Sequence, residues 1–120
     1  MAKILAVDDS ASMRSMVAFT LRGAGYDVEE ADNGQAALDS AAMHKFDLIL
    51  ADVNMPVMDG ISMVREIRTR ADYRGVPILM LTTESNPEKK MEGKAAGATG
   101  WLVKPFDPEQ LLATVARVLG

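Results

Sequence analysis

The sequence predicts an α/β protein with a doubly wound, five-stranded parallel sheet, and two features of the chain support this class. Short runs of β-branched and leucine residues alternate five times with longer amphipathic stretches, which is the pattern of repeated strand–helix units. Four short runs are continuously apolar, as in strands that helices cover on both faces, whereas "YDVEEA" at 26–31 alternates like an edge strand. We therefore predict a flavodoxin-like sheet with strand order 2-1-3-4-5.

Each unit consists of a short strand followed by a longer helix. The predicted pairs, in order, are "KILAV" (3–7) with "SMRSMVAFTLRGAG" (12–25), "YDVEEA" with "GQAALDSAAMHK" (34–45), "DLILA" (47–51) with "GISMVREIRTRA" (60–71), "VPILML" (76–81) with "PEKKMEGKAAG" (87–97), and "GWLVK" (100–104) with "PEQLLATVARVLG" (108–120). Apolar residues recur at helical spacing, as in Ile61, Val64, Ile67 and Ala71, or in Leu111, Val115 and Val118.

Polar residues, prolines and glycines mark the predicted helix ends. Asn86-Pro87 and Asp107-Pro108 each offer an N-cap followed by proline at the first helical position. Asp32 is expected to cap the second helix in a capping box with Gln35. Glycines stand where helices should stop, at positions 25, 75 and 97.

Length and composition exclude several classes of protein. At 120 residues the chain has the size of one domain, and we expect a single domain over 1–120 with no output domain. No apolar run is long enough to cross a bilayer, and no leader or cysteine appears, so we expect a reducing cytoplasm. We also expect a monomer. The net charge of −4 and the lack of a basic stripe argue against nucleic-acid binding.

Polar residues follow the strands whose ends meet at the predicted crevice. Ligands of such sheets bind beyond the carboxyl ends of the strands, at the switch in strand order. Those ends carry Asp8-Asp9 on the first strand, Asp52 on the third, Thr82-Thr83 on the fourth and Lys104-Pro105 on the fifth. The chemistry of the protein should therefore depend on these residues.

Three carboxylates converging in one crevice repel each other and call for a cation. A hard divalent ion such as Mg²⁺ fits the set, because it takes oxygen ligands and keeps several waters, and the backbone carbonyl near Asn54 could add another oxygen. With that charge offset and Lys104 close, Asp52 can act as a nucleophile toward phosphorus. Metal, lysine and the threonine hydroxyl would neutralise the transferred group, so we predict an aspartyl phosphate at Asp52.

These residues resemble the receiver domain of two-component response regulators over the whole chain. The resemblance rests on Asp8-Asp9, "LADVNMPVMDG" (50–60), "LTT" (81–83) and "VKPF" (103–106). It implies that a CheA-like histidine kinase phosphorylates Asp52, that Asp8, Asp9, Asp52 and the Asn54 carbonyl hold Mg²⁺, and that Lys104 pairs with the phosphoryl group. Thr82 would be the switch hydroxyl, with Thr83 as a further contributor, and the Lys104–Pro105 peptide would be cis.

The resemblance is closest to the single-domain chemotaxis regulators, and this implies a partner surface. Phosphorylation in such proteins changes the face made by the fourth helix, the fifth strand and the fifth helix, which binds the flagellar motor switch or another effector. Here this face would contain Lys89, Lys90, Lys94 and Trp101, and Trp101 would stand at the aromatic position whose rotamer follows the threonine. Asn54 and Glu84 occupy positions that tune loss of the phosphate, spontaneously or with a phosphatase.

Other interpretations of the same residues remain open. Asp9 and Ser10 could simply cap the first helix, and Trp101 could be ordinary packing. A phosphohydrolase of the haloacid dehalogenase type also uses Mg²⁺, threonine and lysine, but its nucleophile lies on the first strand in an Asp-x-Asp pattern. A flavodoxin-like FMN carrier should have a phosphate cradle where this chain has "DDSAS". A phosphate sink that drains a kinase without an effector has no distinguishing sequence feature.

Overall fold

The computed structural model describes residues 2–82 and 87–120, so Thr83, Glu84 and the predicted cap Asn86 lie outside the described residues. The chain forms β1 (Lys3–Val7), α1 (Ala11–Gly23), β2 (Asp27–Ala31), α2 (Gly34–Met43), β3 (Leu48–Asp52), α3 (Gly60–Arg68), a 3₁₀ turn (Ala71–Tyr73), β4 (Ile78–Thr82), α4 (Pro87–Ala96), β5 (Gly100–Val103) and α5 (Pro108–Leu119). The five predicted strand–helix units are confirmed.

The five strands form one parallel sheet in the order β2-β1-β3-β4-β5, which confirms the predicted topology and fold class. The register aligns Val7 of β1 with Ala51 of β3, and Asp52 with Leu81 of β4. Thr82 in turn lies opposite Val103 of β5. The residues that follow these positions therefore lie together at the carboxyl ends of the strands, on either side of β3.

Alternate residues of the strands build two cores, one on each face of the sheet. On one face Leu5, Ile49 and Met80 pack with α2 and α3 and with Ala96 of α4. On the other face Ile4 and Leu50 pack with α1 and α5. β3 is buried along its whole length, because it lies in the middle of the sheet between both cores. Full burial of one such leucine or isoleucine stabilises the fold by about 1.5–3 kcal/mol, so β3 is a firmly held support for a functional side chain at its end.

Two sequence predictions about packing are wrong. The continuously apolar run at 100–104 predicts a strand covered on both faces, but the residues of β5 are half-buried except for Val103, which is exposed. The third helix was expected to reach Ala71, but it ends at Arg68, and Ala71 is exposed in the following 3₁₀ turn. The 3₁₀ turn brings Tyr73 into the core instead, and burial of that ring replaces the last predicted helical turn.

The predicted N-cap is found on α5 but not on α2. The predicted Asp107 cap is confirmed as a full capping box with Gln110, with Pro108 in the first turn. The predicted capping box of Asp32 with Gln35 is wrong, because Asn33 caps α2 by accepting from the backbone N–H of Ala36 at 2.8 Å. Gln35 donates to Asp39 (3.2 Å) and Asp32 accepts from the Asn33 amide (3.0 Å) instead.

Glycine stops one helix as expected and not another. Gly97, with φ of 116°, follows α4 directly, and its N–H donates to the carbonyls of Gly93 and Lys94. Gly75 does not end a helix, because α3 has already stopped at Arg68. Within the described ranges, no helix combines the length and the apolar character needed to cross a bilayer.

Candidate functional site

Three aspartates meet at the carboxyl ends of β1 and β3. Asp8 and Asp9 follow β1 directly and Asp52 is the last residue of β3. Their carboxylate oxygens lie within 4.8 Å of one another. Asp8 and Asp52 are 2% and 9% exposed, whereas Asp9 is exposed to solvent. The structure thus brings together the three acids that the sequence suggested. Asp8 and Asp52 are buried at the carboxyl ends of their strands, and Asp9 is exposed.

Lys104 joins this cluster from the end of β5. Its Nζ lies 2.8 Å from Asp8 Oδ2 and 3.4 Å from Asp52 Oδ2, and its side chain is 10% exposed. The other oxygen of Asp8 accepts the backbone N–H of Ser10 at 2.9 Å, and Ser10 also caps α1. The Lys104–Pro105 peptide is cis. One buried ammonium therefore faces two buried carboxylates, which leaves an excess of negative charge in the crevice.

Burial dominates the electrostatics of Asp52. It raises the pKa of the Asp52 carboxyl above its usual value, while Lys104 acts in the opposite direction. The negative charge of Asp8 adds to the increase, and a long hydrogen bond from the Asn54 N–H (3.4 Å) opposes it. Ionised Asp52 is therefore held at a cost in free energy, and a further cation in the crevice would lower that cost.

The segment after β3 is shaped so that α3 starts directly beside Asp52. A Cβ at Gly60 would overlap the backbone carbonyl oxygen of Asp52, and the Gly60 N–H donates to the Val53 carbonyl at 2.9 Å. Only glycine permits this close approach. Between them the chain turns through Val57, which is 83% exposed and adopts φ of 69°, a strained backbone for a β-branched residue.

The donor set of this crevice fits a hard divalent cation. Three carboxylates supply oxygen ligands within a span of 4.8 Å, and Asp9 faces solvent, where an ion could keep its waters. Nitrogen and sulfur ligands of the kind that zinc prefers are absent from this described cluster. The chemistry of the residues thus favours Mg²⁺ over a transition metal.

The remaining predicted site residues are Thr82, Thr83, Asn54 and Glu84. Thr82 is buried at the end of β4, and its carbonyl accepts the N–H of Lys104. Asn54 is exposed two residues beyond Asp52. Predictions for Thr83 and Glu84 concern residues outside the described ranges.

The predicted partner residues lie mostly around a separate groove between α4 and β5. This groove encloses about 390 Å³ and is lined by Lys90, Met91, Lys94, Ala98, Thr99 and Trp101. Lys89 is exposed but is not part of the lining. Trp101 is half-buried, packs against the core and pairs along the sheet with Met80, two residues before Thr82. Two lysines and one aromatic ring therefore line the same groove.

Sequence reasoning missed two arginines that hold the backbone around these places. Arg14 of α1 donates to the carbonyl of Asp8 at 2.7 Å and to Glu30 at 3.2 Å, which ties the β1–α1 turn to β2. Arg68 donates to the carbonyls of Gly97 and Val76, linking α3 to the end of α4. Their targets are mostly backbone carbonyls, which leave no mark in the sequence.

Comparison with known proteins agrees with the geometry. Residues 4–116 match the family model of the response regulator receiver domain. The chemotaxis protein CheY-3 of Vibrio cholerae is 41% identical over 117 residues, which cover 97% of this chain and 90% of that protein. The solved structure of the chemotaxis response regulator CheY4 of Vibrio cholerae is 61% identical, superimposes with a TM-score of 0.95 and covers 98% of both chains.

A third relative bears on the metal. The receiver domain of the sensor histidine kinase PA1611 from Pseudomonas aeruginosa, solved with a magnesium ion in its active-site cleft, is 34% identical with a TM-score of 0.92. The match covers 99% of this chain and 98% of that one. Together with the strand order and the acidic crevice, these similarities show that the chain belongs to the response regulator receiver domain family of two-component signalling, with chemotaxis proteins of the CheY type among its relatives.

Proposed function

We propose that the protein is a phosphorylation-activated switch in which Asp52 accepts a phosphoryl group from a histidine kinase. One observation carries the proposal: Asp52 ends the fully buried β3, within 3.4 Å of Lys104 and beside Asp8 and Asp9. A carboxylate so held is fixed by the sheet and open to the crevice. Its neighbours supply both a positive charge and a metal-binding oxygen set.

The chain's own residues account for the transfer step. A carboxylate oxygen of Asp52 forms the new P–O bond while the P–N bond to the kinase histidine breaks, and the electron pair of that bond stays on the imidazole nitrogen, which takes a proton from solvent. The Lys104 ammonium, now 2.8 Å from Asp8, is near enough to move toward the arriving phosphoryl oxygens. The hydroxyl of Thr82 at the neighbouring strand end is the second donor that we assign to that group.

Asp8, Asp9 and Asp52, with the backbone carbonyl of Asn54, would hold Mg²⁺. When bound, the ion offsets the charge of the carboxylates and of the transferred phosphoryl group. A bound Mg²⁺ would also supply positive charge to Asp8 when Lys104 moves toward the phosphoryl group.

The groove between α4 and β5 is the surface that we assign to the partner. Lys90 and Lys94 line the groove together with the Trp101 ring, so an acidic segment with one apolar anchor matches the charge and composition of this surface. We propose the flagellar motor switch as the effector, in a cytoplasmic, monomeric, single-domain protein that receives its phosphoryl group from a CheA-like kinase. Asn54 and Glu84 would tune the rate at which the phosphoryl group is lost from Asp52, with or without a phosphatase.

Intact mass after treatment with acetyl phosphate tests the proposal. The parent should gain one phosphoryl group only when Mg²⁺ is present, and Asp52→Asn should gain none. Asp39→Asn is the matched control, because Asp39 lies on the exposed part of α2, away from the crevice. Equal labelling of Asp52→Asn and the parent, or labelling that EDTA leaves unchanged, would overturn the assignment.

A second experiment concerns the partner. Protein treated with beryllofluoride and Mg²⁺ should bind a purified flagellar motor switch protein more tightly than untreated protein, and Lys90→Glu together with Lys94→Glu should abolish the gain. Lys45→Glu serves as the control for loss of a lysine elsewhere. Kinase-dependent phosphorylation of Asp52 without any gain in binding would favour a phosphate sink over a motor effector.

A further inference from the structure

The indole of Trp101 occupies the space that a side chain at position 93 would need. A Cβ built on Gly93 would lie 2.8 Å from Cη2 of the indole and closer still to Cζ2. Carbon atoms in contact prefer about 3.5–4.0 Å. The edge of the ring therefore rests on the backbone of α4, in a notch that exists only because residue 93 has no side chain.

Backbone conformation does not explain this glycine. Gly93 lies inside α4, and the glycines with positive φ among the described residues are Gly25, Gly97 and Gly120. Glycine is less favourable than alanine inside a helix, because it loses more backbone entropy on folding. α4 buries only Gly93 and Ala96, so its contact with the rest of the fold depends on these two small residues. Space for the indole is the role that remains for Gly93.

The backbone at position 93 cannot easily retreat from the ring. Its carbonyl accepts the N–H groups of Gly97 (3.1 Å) and Ala98 (2.9 Å) in the cap that ends α4. The carbonyl of Gly97 is held in turn by Nε and Nη2 of Arg68, at 3.0 and 2.8 Å. Two residues later, Thr99 exchanges hydrogen bonds with Ile78 of β4. If a side chain were added at position 93, the indole would have to move, and the open groove beside it offers the space.

We propose that Gly93 is the positioning residue for Trp101, and that it thereby sets the shape of the groove between α4 and β5. The notch holds the indole half-buried against the core, in the groove that Lys90 and Lys94 also line. A methyl group at position 93 would push the ring out of the notch and toward the groove. That the groove serves a partner rests on the proposed function; the seating of the ring does not.

The sign of a stability change tests the seating without phosphate or metal. Helix propensity alone predicts that Gly93→Ala raises Tm by roughly 4 °C, whereas occupation of the notch predicts a fall. The same substitution made in Trp101→Phe protein should raise Tm, because the smaller ring leaves room for the methyl group. Gly23→Ala is the matched control, since Gly23 is also helical and nothing lies within 4 Å of its would-be Cβ.

Fluorescence locates the ring directly, because Trp101 is the only tryptophan of the chain. Gly93→Ala should shift the emission maximum to the red and increase acrylamide quenching, while Gly23→Ala should leave both unchanged. A rise in Tm with unchanged emission would overturn the proposal. So would a fall in Tm of equal size in the tryptophan and phenylalanine backgrounds, since the loss would then not involve the indole.

Acetyl phosphate with Mg²⁺ separates this inference from the proposed function. If parent emission responds to phosphorylation, Gly93→Ala should show an altered response, because its ring starts outside the notch; an identical response in both proteins would contradict the seating of the ring. If the parent is not phosphorylated at all, the proposed function fails while the stability and quenching results still decide the seating of Trp101.

Discussion

Removing Lys104 should show how much of the stability of the fold depends on the balance of charge in the crevice. The Lys104 ammonium lies 2.8 Å from Asp8 and 3.4 Å from Asp52, and the side chains of these acids are only 3% and 12% exposed. At an effective dielectric constant near 20, each contact corresponds to roughly 5–6 kcal/mol of gross attraction. Desolvation of the three groups offsets much of this, and breaking a buried pair costs about 3–5 kcal/mol net.

We therefore expect Lys104→Met to lose about 3–5 kcal/mol of unfolding free energy in EDTA at pH 7, or roughly 12–20 °C in Tm. Urea denaturation at 25 °C measures the first quantity. Adding Mg²⁺ should reduce the difference in unfolding free energy between Lys104→Met and the parent, because an ion that binds only the folded state takes over part of the role of the ammonium. Lowering the pH to about 3 should narrow this difference as well, because burial raises the pKa of Asp52 and its protonated carboxyl no longer needs a cation.

Lys3→Met is the matched control. Lys3 also faces two carboxylates, Asp27 and Glu29, but at 3.6 Å each and with its own side chain 25% exposed. Such surface pairs contribute about 0–1 kcal/mol. If Lys104→Met is destabilised no more than Lys3→Met, or if its loss is the same at pH 3 and pH 7, the reasoning about buried charge is wrong.

Three further substitutions test other parts of the structure. Burial raises the pKa of Asp52, so its ionisation lowers the stability of the fold as the pH rises from its usual pKa of 3.8 toward the raised value. In EDTA, Asp52→Asn should therefore have a higher Tm than the parent at pH 7 and the same Tm near pH 3. A lower Tm of the variant at pH 7 would contradict this. Val57→Asn should gain about 1 kcal/mol, because asparagine tolerates the positive φ that strains valine, and an unchanged urea midpoint would show that the turn is not strained. Tyr73→Phe should lose about 1–3 kcal/mol, since the Tyr73 hydroxyl accepts from the Phe46 N–H and donates to the Ala41 carbonyl; a smaller loss would mean that water replaces both bonds.

The fold class could be predicted because it depends on periodicity along the chain. Strand runs such as "DLILA" and "VPILML" are short, apolar and separated by amphipathic stretches, and a parallel sheet is the arrangement that covers both of their faces. Errors occurred where neighbours in space decide the outcome. The run of β5 is as apolar as that of β3, yet β5 is half-buried where β3 is fully buried, because how far other elements cover a strand is not encoded in the strand's own residues.

The candidate site could be predicted for a related reason. Asp8, Asp52 and Lys104 all stand at the carboxyl ends of strands, and parallel strands bring those ends together at one side of the sheet, so the topology places these residues close to one another without any knowledge of side-chain conformation. The roles of Asp52 as phosphoacceptor and of Thr82 and Trp101 as switch residues stay predictions until the labelling and fluorescence experiments are done.

What the sequence by itself determined is therefore the order of the elements, the membership of the family and the set of residues at the sheet edge, because each follows from local pattern and from the direction of the chain. The tertiary structure alone decided that the Lys104 ammonium lies closer to Asp8 than to Asp52, and that Gly93 makes room for Trp101. These are contacts between residues far apart along the chain or on different elements. Their distances depend on how whole helices and strands pack, and no local pattern of residues encodes such packing.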